Sequence, residues 1–152
     1  MSLQSRPLFS LSILLHPTIE LGRTPAGGRR VYPVSGGSFE GERVRGSVSP
    51  LIGSDLLLER SDGTFQQDVR LLLVTDDDER ILMTYRGVRR ASSEVDERLA
   101  RGELVDRSEY YLRTTPYFET AADRYDWING IVAVAEGGRI PGGVRYDVHE
   151  IL

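Results

Sequence analysis

The clearest structural signal in the chain is the run Thr64-Phe-Gln-Gln-Asp-Val-Arg-Leu-Leu-Leu-Val-Thr75-Asp-Asp-Asp-Glu79-Arg-Ile-Leu-Met-Thr-Tyr-Arg-Gly-Val-Arg89. Both halves of this run have the two-residue alternation of a β-strand, and the acidic segment 76–79 between them supplies a turn. The run therefore predicts a long hairpin. Its register would place Ile81, Met83 and Tyr85 on one face and Leu82, Thr84 and Arg86 on the other.

The same alternation recurs on both sides of this hairpin. Further strand-like runs cover residues 8–15, 29–34, 43–48, 55–60, 109–113, 131–135 and 144–150. Turns are predicted at Asp62-Gly63 and at the glycine pairs 27–28, 137–138 and 142–143. Gly36-Gly37 is predicted to break a strand, as a bulge or a close backbone approach. One helix is predicted over residues 92–101, with Ser93 as its cap and Gly102 as its stop. It is short and polar, which favours a place on the surface.

Eight to ten short strands and one minor helix predict an all-β fold, mainly antiparallel, over a single domain of residues 1–152. A closed or nearly closed barrel is favoured over a sandwich because closure removes the exposed strand edges. A barrel of about eight strands has room for core side chains or for one small ligand.

Composition excludes several classes of function. The net charge of −4 argues against nucleic acid or an anionic membrane as a partner. The absence of cysteine excludes disulfides and thiolate chemistry, and the only histidines, His16 and His149, lie far apart, so no metal site is predicted. No phosphate-binding glycine loop or nucleophile elbow is present, so no cofactor is predicted. The apolar run 8–15 lacks a cleavage site and is too short to span a bilayer, which predicts a cytoplasmic protein. A homo-oligomer is left open.

Several blocks together resemble the bacterial domain-of-unknown-function 3237 (DUF3237) family. They are Ser35-Gly-Gly-Ser-Phe-Glu-Gly41, Gly53-Ser-Asp55, Asp62-Gly63, Asp68-Val-Arg70, Arg113-Thr-Thr-Pro-Tyr-Phe-Glu-Thr120 and Tyr125-Asp-Trp-Ile-Asn129. The two last blocks, in this order, are the most specific, and the match runs from about Leu8 to the C-terminus. The resemblance implies a calycin-like (lipocalin-like) barrel and no particular reaction.

The segment 109–129 is the predicted ligand site because it combines large rings with a few ionisable groups. We expect Arg113 and Asn129 to orient a partly apolar small molecule that carries a carbonyl, hydroxyl or carboxylate. The predicted walls of the pocket are Tyr85, Tyr111, Phe118 and Trp127. For Trp127, a structural plug in the core is the alternative.

Two carboxylates are candidates for a catalytic base. Asp55 would qualify if burial raised its pKa, and its alternative role is to cap a turn. Glu119 would qualify as well, and its alternative role is a buried ion pair with Arg113 that holds a corner of the fold.

Asp68 and Arg70 lie two residues apart on one strand, so their side chains share a face. That face either looks into the cavity, where both residues would bind the ligand, or is an exposed surface with an ion pair.

These residues support three functional hypotheses. The first is a small-molecule-binding barrel. The second is a cofactor-free isomerase, cyclase or hydratase with a carboxylate base in the cavity. The third is a structural or interaction protein whose barrel is filled by side chains. A cavity separates the first two from the third, and a cavity carboxylate with a raised pKa separates the second from the first.

Overall fold

The structure, a computed structural model, describes residues 2–152. Within them lie one α-helix and nine strands: β1 Ser5–Leu15, β2 Ile19–Thr24, β3 Gly27–Glu40, β4 Arg45–Glu59, β5 Phe65–Thr75, β6 Arg80–Arg90, α1 Ser93–Ala100, β7 Tyr111–Glu119, β8 Ala133–Ile140 and β9 Gly143–Ile151. Two 3-10 segments, Arg107–Glu109 and Asp123–Gly130, precede and follow β7.

Eight strands, β1 and β3 to β9, close into an antiparallel barrel because β1 pairs with both β9 and β3. β2 lies outside this ring as a hairpin partner of β3. Closure satisfies the backbone hydrogen-bonding groups that an open sheet would expose at its edges. The predicted all-β, antiparallel barrel with one short α-helix is confirmed.

The predicted hairpin is confirmed as β5 and β6. Its register runs without interruption from the pair Phe65 and Arg89 to the pair Val74 and Arg80. Ile81, Met83 and Tyr85 are buried, whereas Leu82 and Thr84 are partly exposed and Arg86 is exposed. The alternation of the sequence therefore fixes which side chains of the hairpin face the barrel interior.

Two glycine pairs that were predicted to break strands lie inside them. β3 continues through Gly36-Gly37, both at positive φ, and a Cβ at Gly37 would collide with the carbonyl of Ser12 on the neighbouring strand. β8 likewise continues through Gly137-Gly138. The close backbone approach predicted at Gly36-Gly37 is confirmed, whereas at Gly137-Gly138 glycine permits close approach of a neighbour within the sheet rather than the predicted turn.

The helix differs from its prediction in two respects. Its N-cap is Ser92, whose Oγ accepts a hydrogen bond from the Val95 amide at 3.2 Å, rather than Ser93. Moreover, the helix is more than a surface excursion: Val95 is buried, and Leu99 is only 1% exposed and belongs to the core. The amphipathic pair Val95 and Leu99, four residues apart, packs α1 against the barrel.

The barrel has two different ends. The upper end carries α1 and the tight turn 141–142 between β8 and β9, and the lower end carries the turn 76–79 and the 3-10 segment Asp123–Gly130. Side chains fill the lower half, where Phe9 meets Phe39 and Phe118 edge-on at centroid distances of 5.3 and 5.8 Å. The upper half is left open, and this positions the site.

Candidate functional site

A cavity of about 460 Å³ opens at the upper end of the barrel. This volume lies within the range of pockets that bind small molecules. Aliphatic side chains form much of its wall. The polar and aromatic groups that matter most for chemistry are Tyr32, Asp55, Gln67, Tyr85, Arg89, Arg139 and Tyr146.

Asp55 is the carboxylate inside this cavity. It lies in one cross-strand row with Val69 and Tyr85, on adjacent strands β4, β5 and β6. Burial raises the pKa of Asp55 to about 7; the Asp68 amide, which donates to Asp55 Oδ1 at 3.1 Å, lowers this pKa, and the Asp68 carboxylate raises it. Near neutral pH both protonation states of Asp55 are populated, so the group can accept and return a proton.

Two buried tyrosines line the cavity near Asp55. The rings of Tyr85 and Tyr146 meet edge-on with their centroids 5.3 Å apart. Burial is the largest cause that raises the pKa of each hydroxyl, and the Asp55 carboxylate adds to the rise. Both hydroxyls therefore stay protonated at neutral pH and can donate a hydrogen bond to a ligand oxygen.

The position of Tyr146 depends on a glycine. Its ring packs against Gly137 on β8, and a Cβ at that position would overlap the ring carbons. The second glycine pair of the sequence thus makes room for an aromatic wall of the cavity.

Gln67 brings an unpaired polar atom to the cavity wall. Its side chain is buried, and within residues 2–152 its Oε1 has no hydrogen-bond partner. An unpaired buried acceptor costs about 1–3 kcal/mol. The atom is packed inside the wall, with less than 1 Å² of accessible surface.

Two arginines line the cavity near α1. Arg89 Nη1 lies 3.0 Å from Asp96 Oδ1, and its guanidinium stacks 4.3 Å from the centroid of the Phe65 ring. Arg139 Nη1 donates to the carbonyl of Leu99 at 3.2 Å. The site thus combines one interior carboxylate with two hydroxyl donors and positive charge near the helix.

Of the site residues predicted from sequence, Asp55 and Tyr85 line this cavity. The residues predicted from segment 109–129 do not lie together in this cavity. On β7 the even-numbered residues face the interior and the odd-numbered residues face outward. Leu112, Thr114, Pro116 and Phe118 face the interior, and Tyr111, Arg113 and Glu119 face outward.

The outward residues of β7 make surface contacts. Arg113 Nη2 pairs with Glu136 Oε1 on β8 at 3.4 Å, rather than with Glu119. The Tyr111 ring lies between Arg90 and Arg113, whose guanidinium carbons are 4.8 and 4.9 Å from its centroid. Glu119 is exposed at the lower end of β7. A ligand role for these three residues stays a prediction.

The other three residues predicted from this segment lie at the lower end of the barrel. Phe118 belongs to the aromatic core described above. Trp127 is half-buried, with Arg43 stacked 4.0 Å from its ring centroid. Asn129 closes the loop after β7: its Oδ1 accepts from the Thr120 amide and its Nδ2 donates to the Thr120 carbonyl, at 2.9 and 3.0 Å. This placement matches the structural alternative for Trp127.

Asp68 and Arg70 point outward from β5, so the exposed alternative describes their geometry. Their side chains pair at 3.1 Å, and Arg86 approaches Asp68 at 3.8 Å. Asp68 still contributes to the site, because its backbone amide holds Asp55.

Sequence reasoning missed Gln67, Arg89, Arg139 and Tyr146. The available signal was parity within the strands. Gln67 shares the buried face of Phe65, Val69 and Leu71, and Arg89 shares the face of Met83 and Tyr85. A polar residue at an apolar position of a predicted strand indicates a cavity group.

Residues 2–152 hold neither a cluster of metal ligands nor a helix able to span a membrane. These residues contain no group of three or more His, Asp or Glu side chains placed to hold a metal ion. In the same part of the chain, every helix is too short or too polar to cross a membrane.

Comparison with known proteins places this barrel in a family. The profile of a family described as a protein of unknown function, DUF3237, matches residues 3–151. The chain belongs to the DUF3237 family. A relative, a UPF0311 protein of Rhodopseudomonas palustris, is 30% identical over 151 residues, which cover 99% of this chain and 98% of that protein.

Solved structures share the barrel. A β-barrel-like protein from Acinetobacter baumannii is 37% identical, with a TM-score of 0.86 over 100% of this chain and 98% of that one. An enzyme from Penicillium herquei is 20% identical, with a TM-score of 0.72 over 100% of this chain and 96% of that one. The second likeness concerns the fold alone.

Proposed function

We propose that the upper cavity of this DUF3237 barrel binds a small, partly apolar molecule with a hydroxyl, carbonyl or carboxylate, and that Asp55 exchanges a proton with it. The reaction class is cofactor-free isomerisation, cyclisation or hydration. The observation that carries the proposal is the Asp55 carboxyl, which faces the cavity with a pKa of about 7. A general base is most effective when its pKa lies near the working pH.

The groups around Asp55 suit that chemistry. When Asp55 removes a proton from a hydroxyl or from a carbon beside a carbonyl, negative charge develops on the ligand oxygen. Tyr85 and Tyr146 are protonated, buried donors, and a hydrogen bond from a buried donor to such an oxygen is stronger than one in water.

Two observations favour this proposal over the alternatives. The open upper half favours a ligand-binding barrel over a barrel that is filled by side chains. The raised pKa of Asp55 favours catalysis over binding alone. It also argues against a turn cap, because a carboxyl with that role has no need to lose its hydration. The Penicillium herquei enzyme adds that a barrel of this fold can serve an enzyme.

The test is a screen of small phenols and ketones in D₂O, followed by ¹H NMR for protein-dependent deuterium exchange. We expect exchange on a bound compound that is lost in Asp55→Asn while binding of the compound is kept. Binding without exchange in the wild type would leave the cavity as a binding site alone. If no compound bound, or if Val69→Phe, which fills the cavity, left binding unchanged, the cavity would not be the ligand site.

A further inference from the structure

Arg139 is the charge at the mouth of the cavity that lacks an ionic partner. The other charged groups near it are paired: Arg89 with Asp96 at 3.0 Å, and Glu103 with Arg98 and Arg101 at 3.1 and 3.2 Å. Within residues 2–152, the guanidinium of Arg139 has one hydrogen bond, to the carbonyl of Leu99, and no carboxylate in ion-pair range.

The side chain of Arg139 is also held in place. Strand parity places Arg139 on the same side of β8 as Ala133, Ala135 and Gly137, and its exposed side chain lines the mouth of the cavity two residues before the turn 141–142. The Tyr110 hydroxyl accepts from the Arg139 amide at 2.8 Å, and Leu99 holds the Nη1 end. A guanidinium has five N–H donors, so the edge formed by Nε and Nη2 remains for a ligand.

We propose that Arg139 binds a carboxylate of the ligand, which makes the substrate of the upper cavity an apolar carboxylic acid. The planar fork of arginine matches a carboxylate in bidentate geometry. The buried charge of Arg89 strengthens the positive field on the same side: Arg139 lies near enough to contribute to lowering the pKa of Arg89. The carboxylate would lie at the mouth, and the reacting group would lie deeper, at Asp55. This inference rests on the proposed function of the cavity and adds the class of its substrate.

The alternative is that Arg139 only fastens α1 to the barrel through Leu99. That role would use one donor and would be indifferent to the charge of a ligand. The two roles therefore separate when two probes differ only in a carboxylate.

The probes are 6-hydroxy-2-naphthoate and 2-naphthol, titrated into the protein by fluorescence. Both carry the rings and the hydroxyl, and only the first carries the carboxylate. We expect the wild type to bind the naphthoate at least about tenfold more tightly, the scale of a hydrogen bond to a charged group. In Arg139→Gln this advantage should disappear, while the affinity for 2-naphthol stays within about twofold. Arg139→Lys, which keeps the charge but not the fork, should retain part of the advantage.

The matched control is Arg145→Gln. Arg145 lies on the neighbouring strand β9, one pair from Arg139 in the register, but it faces outward. The Arg145→Gln substitution removes the same charge from the protein and should leave the affinities for both probes unchanged. Thermal melts of each variant show whether it is folded.

The outcomes separate a failure of this inference from a failure of the proposed function on which it rests. If Arg139→Gln lowered the affinity for both probes equally, or for neither, Arg139 would only hold α1 against the barrel and the inference would be overturned. The proposed function would survive in that case, provided that Val69→Phe blocks 2-naphthol. If the wild type bound neither probe, or if Val69→Phe left both affinities unchanged, the proposed function would fail and the inference with it.

Discussion

Asp55 is the residue on which the chemistry depends, and its local setting explains its raised pKa. A carboxyl that loses its hydration favours the neutral form unless a nearby cation compensates. The arginines of the cavity pair with Asp96 or with a carbonyl, and the charge nearest to Asp55 is the carboxylate of Asp68, which acts in the same direction as burial. One amide hydrogen bond, from Asp68, opposes them.

The first prediction is that Asp55→Asn stabilises the protein at high pH. An unfolded aspartate titrates near 4, so between about pH 4 and pH 7 the folded state of the wild type binds the extra proton. The free energy of unfolding contributed by Asp55 therefore falls as pH rises through this window and is constant above it. Asparagine does not titrate, so the variant does not lose this part of the free energy of unfolding as pH rises.

Urea unfolding at a series of pH values measures the effect. The variant should exceed the wild type by on the order of a few kcal/mol at pH 8, and the excess should shrink towards pH 4. The exposed control Asp123→Asn should change stability by less than about 0.5 kcal/mol. A difference between Asp55→Asn and wild type that did not vary with pH would contradict a raised pKa.

At the scale of elements, the sequence predicted what depends on alternation and missed what depends on neighbours. The hairpin β5–β6 was predictable because its two faces differ in polarity along their whole length. The close approach at Gly37 was predicted, but not that Ser12 is its neighbour, and the turn predicted at Gly137 was wrong because this glycine admits Tyr146 from another strand. A single sequence does not show which residues those strands will bring.

The segment 109–129 shows the same limit. Its rings and charges predicted a pocket by their density, but strand parity decides where a side chain points. On β7 that parity sends Arg113 outward to Glu136 and Phe118 inward to the aromatic core. Asp55, predicted as a base at the start of a strand, and Tyr85, predicted as a wall, lie at inward positions of β4 and β6.

The second prediction concerns Arg113→Ala. Arg113 and Glu136 are each about 40% exposed, so their ion pair contributes at most about 1 kcal/mol, and the contact with Tyr111 adds a similar amount at most. We expect a loss of about 1 kcal/mol in the free energy of unfolding, measured in urea, and unchanged binding of 2-naphthol in the cavity. A loss of about 3 kcal/mol or more would mean that Arg113 is part of a buried pair.

At the scale of the whole molecule, the barrel divides its interior between stability and function. The lower half is packed by apolar side chains from β1, β3, β5, β6 and β7, and α1 and the loops surround an opening at the upper half. The site unites residues from β4, β5, β6, β8 and β9, which closure of the barrel brings together. No local sequence pattern records that meeting.

The third prediction compares two enlargements on one strand face. Val69 lines the cavity, whereas Leu71, two residues further along β5, is fully buried in the lower half. Val69→Phe should be accommodated by the open space and change stability by less than about 1 kcal/mol, and Leu71→Phe should cost about 1–3 kcal/mol through overpacking. Thermal unfolding of both variants gives the comparison. Equal losses would indicate that the upper half is as densely packed as the lower.

A ¹³C NMR titration of the aspartate side-chain carboxyls, in wild type and in Asp55→Asn, reads the protonation of Asp55 itself. We predict one wild-type carboxyl resonance with a midpoint near pH 7 that is missing from the spectrum of the variant. That result would place a proton-exchanging group in the cavity at working pH. If every aspartate carboxyl of the wild type finished its titration below about pH 5, as unperturbed groups do, Asp55 would be an ordinary carboxylate and the proposed proton transfer would lose its base.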